Sequence, residues 1–488
     1  MSSPKPRQKP RRLRTPGRFR KGAAAETLSI RHAHAAGIDV HAKEHWVAVP
    51  PGSVPPRSLA RTVGADAPSS PSGSPHLPAH VRRFGTCTAD LEMLADWLAQ
   101  CGVTTIAMES TGVYWIPVFE LLERRGFEVC LIDPRQTRQV SGRPKTDVRD
   151  CQWIQRLHSY GLLAPSFRPA DEVVVLRSYL RQRQMLIGYA GQHIQHMQKA
   201  LEQMNVKLAE VVSDVTGKTG MAIIKDILGG ERNPRRLAKN RDDRCKHTEA
   251  QIARALYGNW REEHLFALQQ AVQLYEVYQQ QLHACDARLQ SCLAGFADKS
   301  QGRTIEPKPK RLRHRYSNDP TFNVRGLLHR MSGVNLTVIE GIDDTTALTV
   351  LSEIGLDMSK WPTEKHFCSW LGLCPQHQGS AGKIKSRHIR PGGNRAARAL
   401  RMAGQGCHHA KNALGAFYRR IQARCGGPRA VIATARKIAE RVYRLLKFGH
   451  EYVRQEIDVY EKTYQARLVH TLQRKARELG YRLEPVTA

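Results

Sequence analysis

Short apolar runs separated by polar turns fill the first third of the chain. Runs such as residues 36–40 are brief and bounded by turn residues, which is typical of buried strands. Apolar residues of the segment 91–98 instead recur three and four positions apart, which is helical spacing. The pattern predicts strands at residues 36–40, 45–49, 81–85, 104–108 and 127–132, and helices at residues 90–99, 113–125 and 146–160. Strands that alternate with helices after an initial hairpin predict an α/β domain over residues 35–165.

Residues 171–296 carry a helical pattern, and part of it repeats every seven residues. The repeat places Leu268, Tyr275, Leu282 and Leu289 at one position, and Ala271, Tyr278, Cys285 and Cys292 three residues further on. Such a seam predicts a coiled-coil spacer over residues 166–297. Two interpretations stay open: a helix pair within one chain, or an arm that dimerises or grips RNA.

The rest of the chain divides by composition. Residues 339–343, followed by an apolar-periodic stretch at 347–354, indicate a helix-hairpin-helix element whose turn offers backbone N–H groups to phosphate. An ordinary helical hairpin would give the same pattern. The predicted segments are a disordered basic tail at 1–34, a basic linker at 298–323, a mainly helical C-terminal domain at 324–466 and a C-terminal tail at 467–488.

The positive charge of the chain indicates which kind of partner it binds. The chain has 488 residues with 76 Lys and Arg against 44 Asp and Glu, a formal net charge of +32. The excess is clustered, since residues 1–21 hold nine Lys or Arg and no acid, and residues 308–315 form a second block. This balance favours a protein that binds phosphate backbones over a metabolic enzyme, with a merely solubilising surface as the alternative.

Cysteine usage and hydropathy exclude several classes. None of the 11 cysteines forms a CxxC pair, which argues against a disulfide scaffold and favours a reducing cytoplasm. Cys407-His408-His409 lacks a second ligand pair at zinc-finger spacing. No run approaches the ~18 apolar residues of a membrane helix, so no membrane partner is expected.

Four carboxylates stand where a ribonuclease-H-like sheet would place metal ligands. Asp39 lies in the first predicted strand, and Glu109 ends another. Asp147 and Asp150 are three residues apart, so a helix would present both on one face. Carboxylates this close repel one another unless a divalent cation lies between them, and oxygen-rich clusters suit Mg²⁺ or Mn²⁺.

A second centre of chemistry lies in the C-terminal domain. Ser380 is flanked by Gly379 and Ala381, so its hydroxyl is approachable. Basic residues surround it in sequence and are predicted to bind nucleic acid: Lys383, Lys385, Arg387, Arg390, Arg395 and Arg398. The residues alone leave two interpretations open, a serine nucleophile toward a DNA phosphate or a phosphate-binding loop with an incidental serine.

Several motifs carry a resemblance to a known family. The N-terminal domain contains Gly37-Ile38-Asp39, Met108-Glu109-Ser110-Thr111-Gly112 and Lys145-Thr146-Asp147-Val148-Arg149-Asp150. The C-terminal domain contains Gly372-Leu373-Cys374-Pro375, Ser380-Ala381-Gly382-Lys383 and Arg390-Pro391-Gly392-Gly393-Asn394-Arg395. Over residues 35–165 and 330–450 the chain resembles the DEDD transposases of bacterial insertion sequences, a family that includes pilin-gene-inverting recombinases.

The resemblance implies a RuvC-like N-terminal domain and a smaller C-terminal transposase domain. It implies that the catalytic acids Asp39, Glu109, Asp147 and Asp150 bind Mg²⁺. It implies that the Ser380 hydroxyl attacks the DNA strand and forms a transient phosphoserine link. It also implies a bridge RNA that chooses donor and target DNA, and assembly as homodimers and homotetramers.

The sequence therefore predicts a recombinase that cuts and rejoins DNA strands by a serine-plus-metal mechanism. Its expected partners are the DNA of element ends and target, a guide RNA and further copies of the chain. The expected location is the bacterial cytoplasm, in association with the nucleoid. Two alternatives stay open: a hydrolytic junction-resolving nuclease that uses the carboxylates alone, and a non-catalytic nucleic-acid-binding protein.

Overall fold

The computed structural model describes residues 28–55, 77–137, 146–305, 318–375, 378–380, 383–386, 389 and 394–484. The chain forms two compact units, Met1–Phe167 and Arg168–Ala488. The predicted basic tail falls almost wholly outside the described residues, and so does the basic block at 308–315.

A mixed five-stranded sheet forms the centre of the first unit. Its strands are β1 (Ala35–Val40), β2 (His45–Ala48), β3 (Val81–Phe84), β4 (Thr105–Glu109) and β5 (Glu128–Ile132). They lie in the order β3-β2-β1-β4-β5, with β2 antiparallel to β1 and β3, and with β1, β4 and β5 parallel. The prediction of an α/β N-terminal domain is confirmed, and the sheet is consistent with a RuvC-like transposase.

Helices cover both faces of this sheet. They are α1 (Thr88–Gln100), α2 (Trp115–Arg124), α3 (Pro134–Thr137) and α4 (Asp147–Ser159). Because side chains alternate along a strand, Ile38 of β1 and Met108 of β4 point into the core with α1 and α2. Ala107 packs with Ile154 of α4 on the opposite face. Asp39 and Glu109 share the parity of Ala107, and therefore lie on the α4 face.

A long helix pair opens the second unit. Its members are α5 (Asp171–Gln203) and α10 (Glu262–Ala294), and between them run α6 (Leu208–Val211), α7 (Lys218–Leu228), α8 (Pro234–Ala238) and α9 (Glu249–Ala255). Arg183 meets Asp286, whereas His193 stacks on Tyr278 with ring centroids 5.4 Å apart, so the pair is antiparallel. The four intervening helices share a core with the adjoining ends of α5 and α10.

The predicted heptad seam of α10 packs against α5 of the same chain. Leu268, Ala271, Leu282 and Leu289 are buried, and the other four seam residues are half-buried. The structure thus contains the helix pair within one chain. Dimerisation or RNA binding through this spacer stays a prediction.

The C-terminal part is mainly helical and carries a two-stranded hairpin. The helices are α11 (Val324–Ser332), α12 (Asp344–Ile354), α13 (Glu364–Trp370), α14 (Arg395–Gly406), α15 (Ala413–Cys425), α16 (Gly427–Phe448) and α17 (His450–Glu478). The strands are β6 (Gln378–Ser380) and β7 (Lys383–Ser386). Helix α16 packs against α13, α14 and α15, and its buried Tyr443 hydroxyl donates a 2.7 Å hydrogen bond to the carbonyl of Trp361.

Two boundaries in this part bear on the sequence predictions. Helix α17 spans His450–Glu478 and so crosses residue 466; the end of the C-terminal domain at that residue stays a prediction. The turn of the predicted helix-hairpin-helix element lies between α11 and α12. Gly341 has a φ of 86° there, and a Cβ atom would lie 2.8 Å from the carbonyl oxygen of Ala403, so the turn requires glycine.

Candidate active site

Two of the predicted acids lie side by side at the carboxyl ends of neighbouring parallel strands. Ile38 of β1 pairs with Met108 of β4, so Asp39 and Glu109 follow at the next register position. Asp39 is 7% exposed, and Glu109 is half-buried. The hydroxyl of Thr137 donates a 2.6 Å hydrogen bond to Oε1 of Glu109, which fixes one carboxylate oxygen.

Helix α4 brings the other two acids to the same place. Asp147 is its first residue, Asp150 lies in the same first turn, and the Thr146 hydroxyl caps the helix by accepting from the amide of Arg149 at 3.4 Å. The helix packs directly on β1 at Gly37. A Cβ atom at Gly37 would lie 2.2 Å from the backbone nitrogen of Gln155 and 2.5 Å from the carbonyl oxygen of Cys151.

His41 joins the acids, although the sequence prediction omitted it. Its Nε2 atom lies 3.2 Å from Oδ2 of Asp39 and 3.6 Å from Oδ1 of Asp147. The signal was present in the sequence, since His41 follows Asp39 by two residues at the end of the same strand. Imidazole beside carboxylates is a frequent ligand combination for transition metals.

Burial dominates the electrostatics of this group, and like charges add to its effect. Burial raises the pKa of Asp39 to about 6; His41 opposes the shift, and the carboxylates of Glu109 and Asp150 add to it. Burial also lowers the pKa of His45 to about 4, with a further contribution from His41. A bound cation would favour the ionised form of Asp39, against its burial and against the neighbouring carboxylates.

The residues fit a divalent cation. Ligand atoms of Asp39, His41 and Asp147 all lie within 4.8 Å of one another. The Nε2 atom of His41 is itself buried and makes no well-aligned hydrogen bond within the described part of the chain. A cation would be coordinated by this nitrogen and would offset the charges of the carboxylates beside it. Carboxylate oxygens suit Mg²⁺ and Mn²⁺, and the imidazole suits a transition ion such as Mn²⁺.

The predicted serine lies in the second unit, on the β6–β7 hairpin. Ser380 pairs with Lys383 across the hairpin, and Gly379 pairs with Ile384. Outside the two strands, Pro375 and Ile389 form a further antiparallel bridge. For Ser380, Lys383 and Lys385 the structure describes the backbone and not the side chains, so their roles remain predictions.

The basic residues that were predicted beside the serine divide into two groups. Arg387 and Arg390 lie outside the described residues. Arg395 is the first residue of α14, and its Nη1 atom donates a 2.8 Å hydrogen bond to Oε1 of Gln184 on α5. Arg398 is exposed one turn further along α14. The start of this helix is fixed by the side chain of Asn394, which accepts from the amides of Ala396 and Ala397.

None of the helices formed by the described residues is long and apolar enough to cross a membrane.

Two segments of the chain match models of known protein families. Residues 77–206 match a model for the DEDD transposases of IS110, described as a transposase, and residues 334–419 match one described as "Transposase IS116/IS110/IS902 family". The first segment includes Glu109, Asp147 and Asp150, and the second includes Ser380, Arg395 and Arg398. Asp39 and His41 lie before the first segment.

One curated relative matches over part of its length. The chain is 32% identical over 126 residues to the "Insertion element IS110 uncharacterized 43.6 kDa protein" of Streptomyces coelicolor (strain ATCC BAA-471 / A3(2) / M145). The alignment covers 25% of this chain and 31% of the relative. The chain thus spans about a third of that relative's length. The two matched segments are thus similar to transposases, of IS110 for residues 77–206 and of the IS116/IS110/IS902 family for residues 334–419.

Proposed function

We propose that this protein is a transposase that cuts and rejoins DNA strands of an insertion sequence by a serine-plus-metal mechanism. The observation that carries the proposal is the convergence of Asp39, His41 and Asp147 on one point, with Glu109 and Asp150 close enough to raise the pKa of Asp39. A bare cluster of this kind is electrostatically unfavourable, whereas a cluster that holds a cation can act on a phosphodiester.

In the proposed mechanism, Asp39, His41 and Asp147 would hold the cation, and Glu109 and Asp150 would support it. When bound, such a cation polarises a phosphoryl oxygen and stabilises charge on the attacking and leaving oxygens. The Ser380 oxygen loses its proton and bonds to the phosphorus, and the bond from that phosphorus to a DNA sugar oxygen breaks. The released sugar hydroxyl takes up a proton.

Rejoining is the reverse of this step with a different DNA hydroxyl. The incoming hydroxyl loses its proton and attacks the phosphoserine, and the Ser380 oxygen leaves and is reprotonated. Each exchange replaces one phosphate ester bond with another, so no nucleotide triphosphate is consumed. The chain contains no GxxxxGK[ST] motif, which agrees with this balance. Basic residues near Ser380 in sequence would offset charge in the transition state.

The partners belong to the same proposal. DNA is the substrate, a bridge RNA is the guide, and the active species is a homodimer or homotetramer. The net charge of +32 supports partners with phosphate backbones. RNA that copurifies with the protein can be sequenced, and recovery of a single RNA encoded beside the gene is the expected result.

The test of the mechanism is trapping of a protein–DNA adduct. Full-length protein is incubated with labelled element-end DNA and Mg²⁺, resolved on a denaturing gel, and the adduct is mapped by peptide mass spectrometry. A DNA strand attached to Ser380 is expected. Ser380→Ala should lose both the adduct and all rejoining, and Asp147→Asn should lose the adduct while nucleic-acid binding persists.

A hydrolytic nuclease is the second candidate, and one observation favours it. All of the acids and His41 lie within the first unit, and metal-bound carboxylates suffice for hydrolysis. In that case Ser380→Ala would cut DNA as well as the wild type, and no protein-linked strand would appear at any time. That outcome would reject the serine mechanism.

A further inference from the structure

An arginine cluster in the second unit surrounds a single buried carboxylate. Glu353 lies in the last turn of α12, where it is 9% exposed. Arg181 of α5 forms a bidentate ion pair with Glu353: Nε donates to Oε1 at 3.0 Å, and Nη2 donates to Oε2 at 2.8 Å. Nη1 of Arg177, one turn earlier on α5, lies 4.0 Å from the same carboxylate.

A third arginine reaches the cluster from α14. Helix α12 packs against both α5 and α14, which brings Arg395 beside the arginines of α5. Gln184, one turn after Arg181, accepts the hydrogen bond from Arg395 and holds its guanidinium there. The three helices thus fix three guanidinium groups around one acid.

The charges in this cluster do not balance. Burial lowers the pKa of Arg177, and the neighbouring positive charges of Arg181 and Arg168 lower it further, while Glu353 opposes them only in part. Burial likewise lowers the pKa of Arg395, with contributions from Arg181 and Arg398 against Glu353. Arginine remains protonated in proteins, so the half-buried excess of positive charge is unfavourable until an anion approaches.

The chemistry of the donors suits a phosphate. Guanidinium forks match the spacing of two phosphate oxygens, and they are preferred over lysine where a phosphate is held in a defined orientation. Arg181 uses Nε and Nη2 on Glu353, and its Nη1 finds no acceptor among the described residues. Arg395 begins the helix that follows the hairpin carrying Ser380, so this member of the cluster lies close along the chain to the proposed nucleophile.

We propose that Arg177, Arg181 and Arg395 form a clamp for one phosphate of the DNA strand that is cut. The inference rests on the proposed serine mechanism for the identity of that strand, but not for the binding of phosphate. Glu353 holds Arg181 in position within the clamp. The clamp would fix the strand by its backbone, without reading its bases.

Binding is tested first, without any chemistry. Fluorescence anisotropy measures the affinity of full-length protein for a labelled DNA duplex and for a single-stranded RNA of matched length, over a series of KCl concentrations. The double variant Arg177→Gln/Arg395→Gln keeps the Arg181–Glu353 pair. It is expected to bind DNA about tenfold more weakly, and the slope of log affinity against log salt should become less negative by about 1.

Two further variants serve as controls. Arg288→Gln removes an exposed charge from α10 and should leave affinity and slope near the wild-type values. Arg395→Lys keeps the charge but loses the fork, so it should weaken binding while the salt slope is retained. It also carries the test if the double variant does not fold, as judged by its thermal unfolding.

The outcomes separate the clamp from the proposed function. If the double variant binds DNA like Arg288→Gln, or loses affinity for RNA alone, the clamp for DNA is overturned. If binding weakens as expected but adduct formation stays at the wild-type level, the assignment to the cut strand is overturned. If wild-type protein forms no adduct with Ser380 while the binding results hold, the serine mechanism fails and the phosphate clamp stands.

Discussion

The lack of a side chain at Gly37 sets the distance between β1 and α4. The backbone of α4 approaches so closely that a Cβ atom would overlap the chain at Cys151 and Gln155. Gly37→Ala is therefore expected to push α4 outward, to cost about 1–3 kcal/mol of stability, and to weaken binding of Mn²⁺ because Asp147 moves with the helix. Mn²⁺ titration followed by electron paramagnetic resonance measures the affinity.

Gly52→Ala is the matched control, since a Cβ atom there would have no neighbour within 4 Å. It should leave both stability and Mn²⁺ affinity close to the wild-type values. Equal Mn²⁺ affinity in Gly37→Ala and Gly52→Ala would show that the position of α4 does not govern the metal site.

Single residues also show which parts of the candidate site can be predicted from the sequence. Asp39 could be found because it lies in an apolar run, Glu109 because it ends one, and Asp147 and Asp150 because of their helical spacing. Thr137 and His41 could not be found in the same way. Thr137 reaches Glu109 only because β5 returns beside β4, and a histidine near a strand end is common without a role.

His158 gives a pH dependence to the first unit. It is buried on α4, where its Nε2 atom lies 2.9 Å from the Thr105 hydroxyl and its ring stacks on His32. Burial, assisted by His32, lowers its pKa to about 4. The unfolded chain therefore binds the proton more readily, so this stabilisation is complete above about pH 6.5 and is lost as pH falls toward 4.

The loss from His158 alone should approach about 3 kcal/mol at pH 4 as an upper limit. His158→Gln removes the titrating group, so its stability should vary less between pH 7 and pH 4 even if it is lower throughout. Calorimetric unfolding over that range provides the measurement. Parallel stability curves for the wild type and His158→Gln would contradict a buried, neutral His158.

At the scale of elements, the helix pair α5–α10 contains a buried ion pair that its heptad pattern did not predict. Arg183 and Asp286 are almost fully buried and are joined at 2.5 Å. Arg183 also donates to the carbonyl of Asn318, and Asp286 accepts from the amide of Thr321. Periodicity predicted which face of α10 is apolar, but it carries no information about the segment 318–321 that folds over this face.

Removing one partner of this ion pair should lower the stability of the fold substantially. Asp286→Ala would leave Arg183 as a buried charge without its carboxylate and should reduce stability by about 3–5 kcal/mol. Glu276 on the same helix forms an exposed ion pair with Lys225, and Glu276→Ala should cost less than about 1 kcal/mol. Urea unfolding of both variants measures the difference. Equal losses would mean that the Arg183–Asp286 pair is not buried in solution.

The elements also differ in how well their sequence pattern predicts them. The strands of the first unit were predicted within one or two residues. The central strands β1 and β4 are buried, mostly apolar runs, which can be recognised without knowledge of their partners. The four short helices between α5 and α10 have no such signature. Their core is assembled from fragments that are distant in sequence, such as Leu208, Ile224 and Ile252.

At the scale of the whole molecule, the net charge of +32 favours partners with phosphate backbones. The clusters at residues 1–21 and 308–315 carry a large share of this charge. Affinity for B-DNA should therefore fall steeply with salt, with a slope of about −0.9 for each phosphate contacted. A flat dependence would reject the electrostatic basis of binding.

Deletion of residues 1–30 separates this charge from the chemistry. The nine Lys and Arg of residues 1–21 should add affinity through counterion release, so the deletion should weaken binding modestly and make the salt slope less negative. At saturating protein the yield of the Ser380 adduct should be unchanged, because the acids and the serine lie elsewhere in the chain. A full-length variant with these Lys and Arg changed to Gln distinguishes charge from chain length and should match the deletion. Complete loss of strand cleavage in either protein would show that the tail takes part in the reaction.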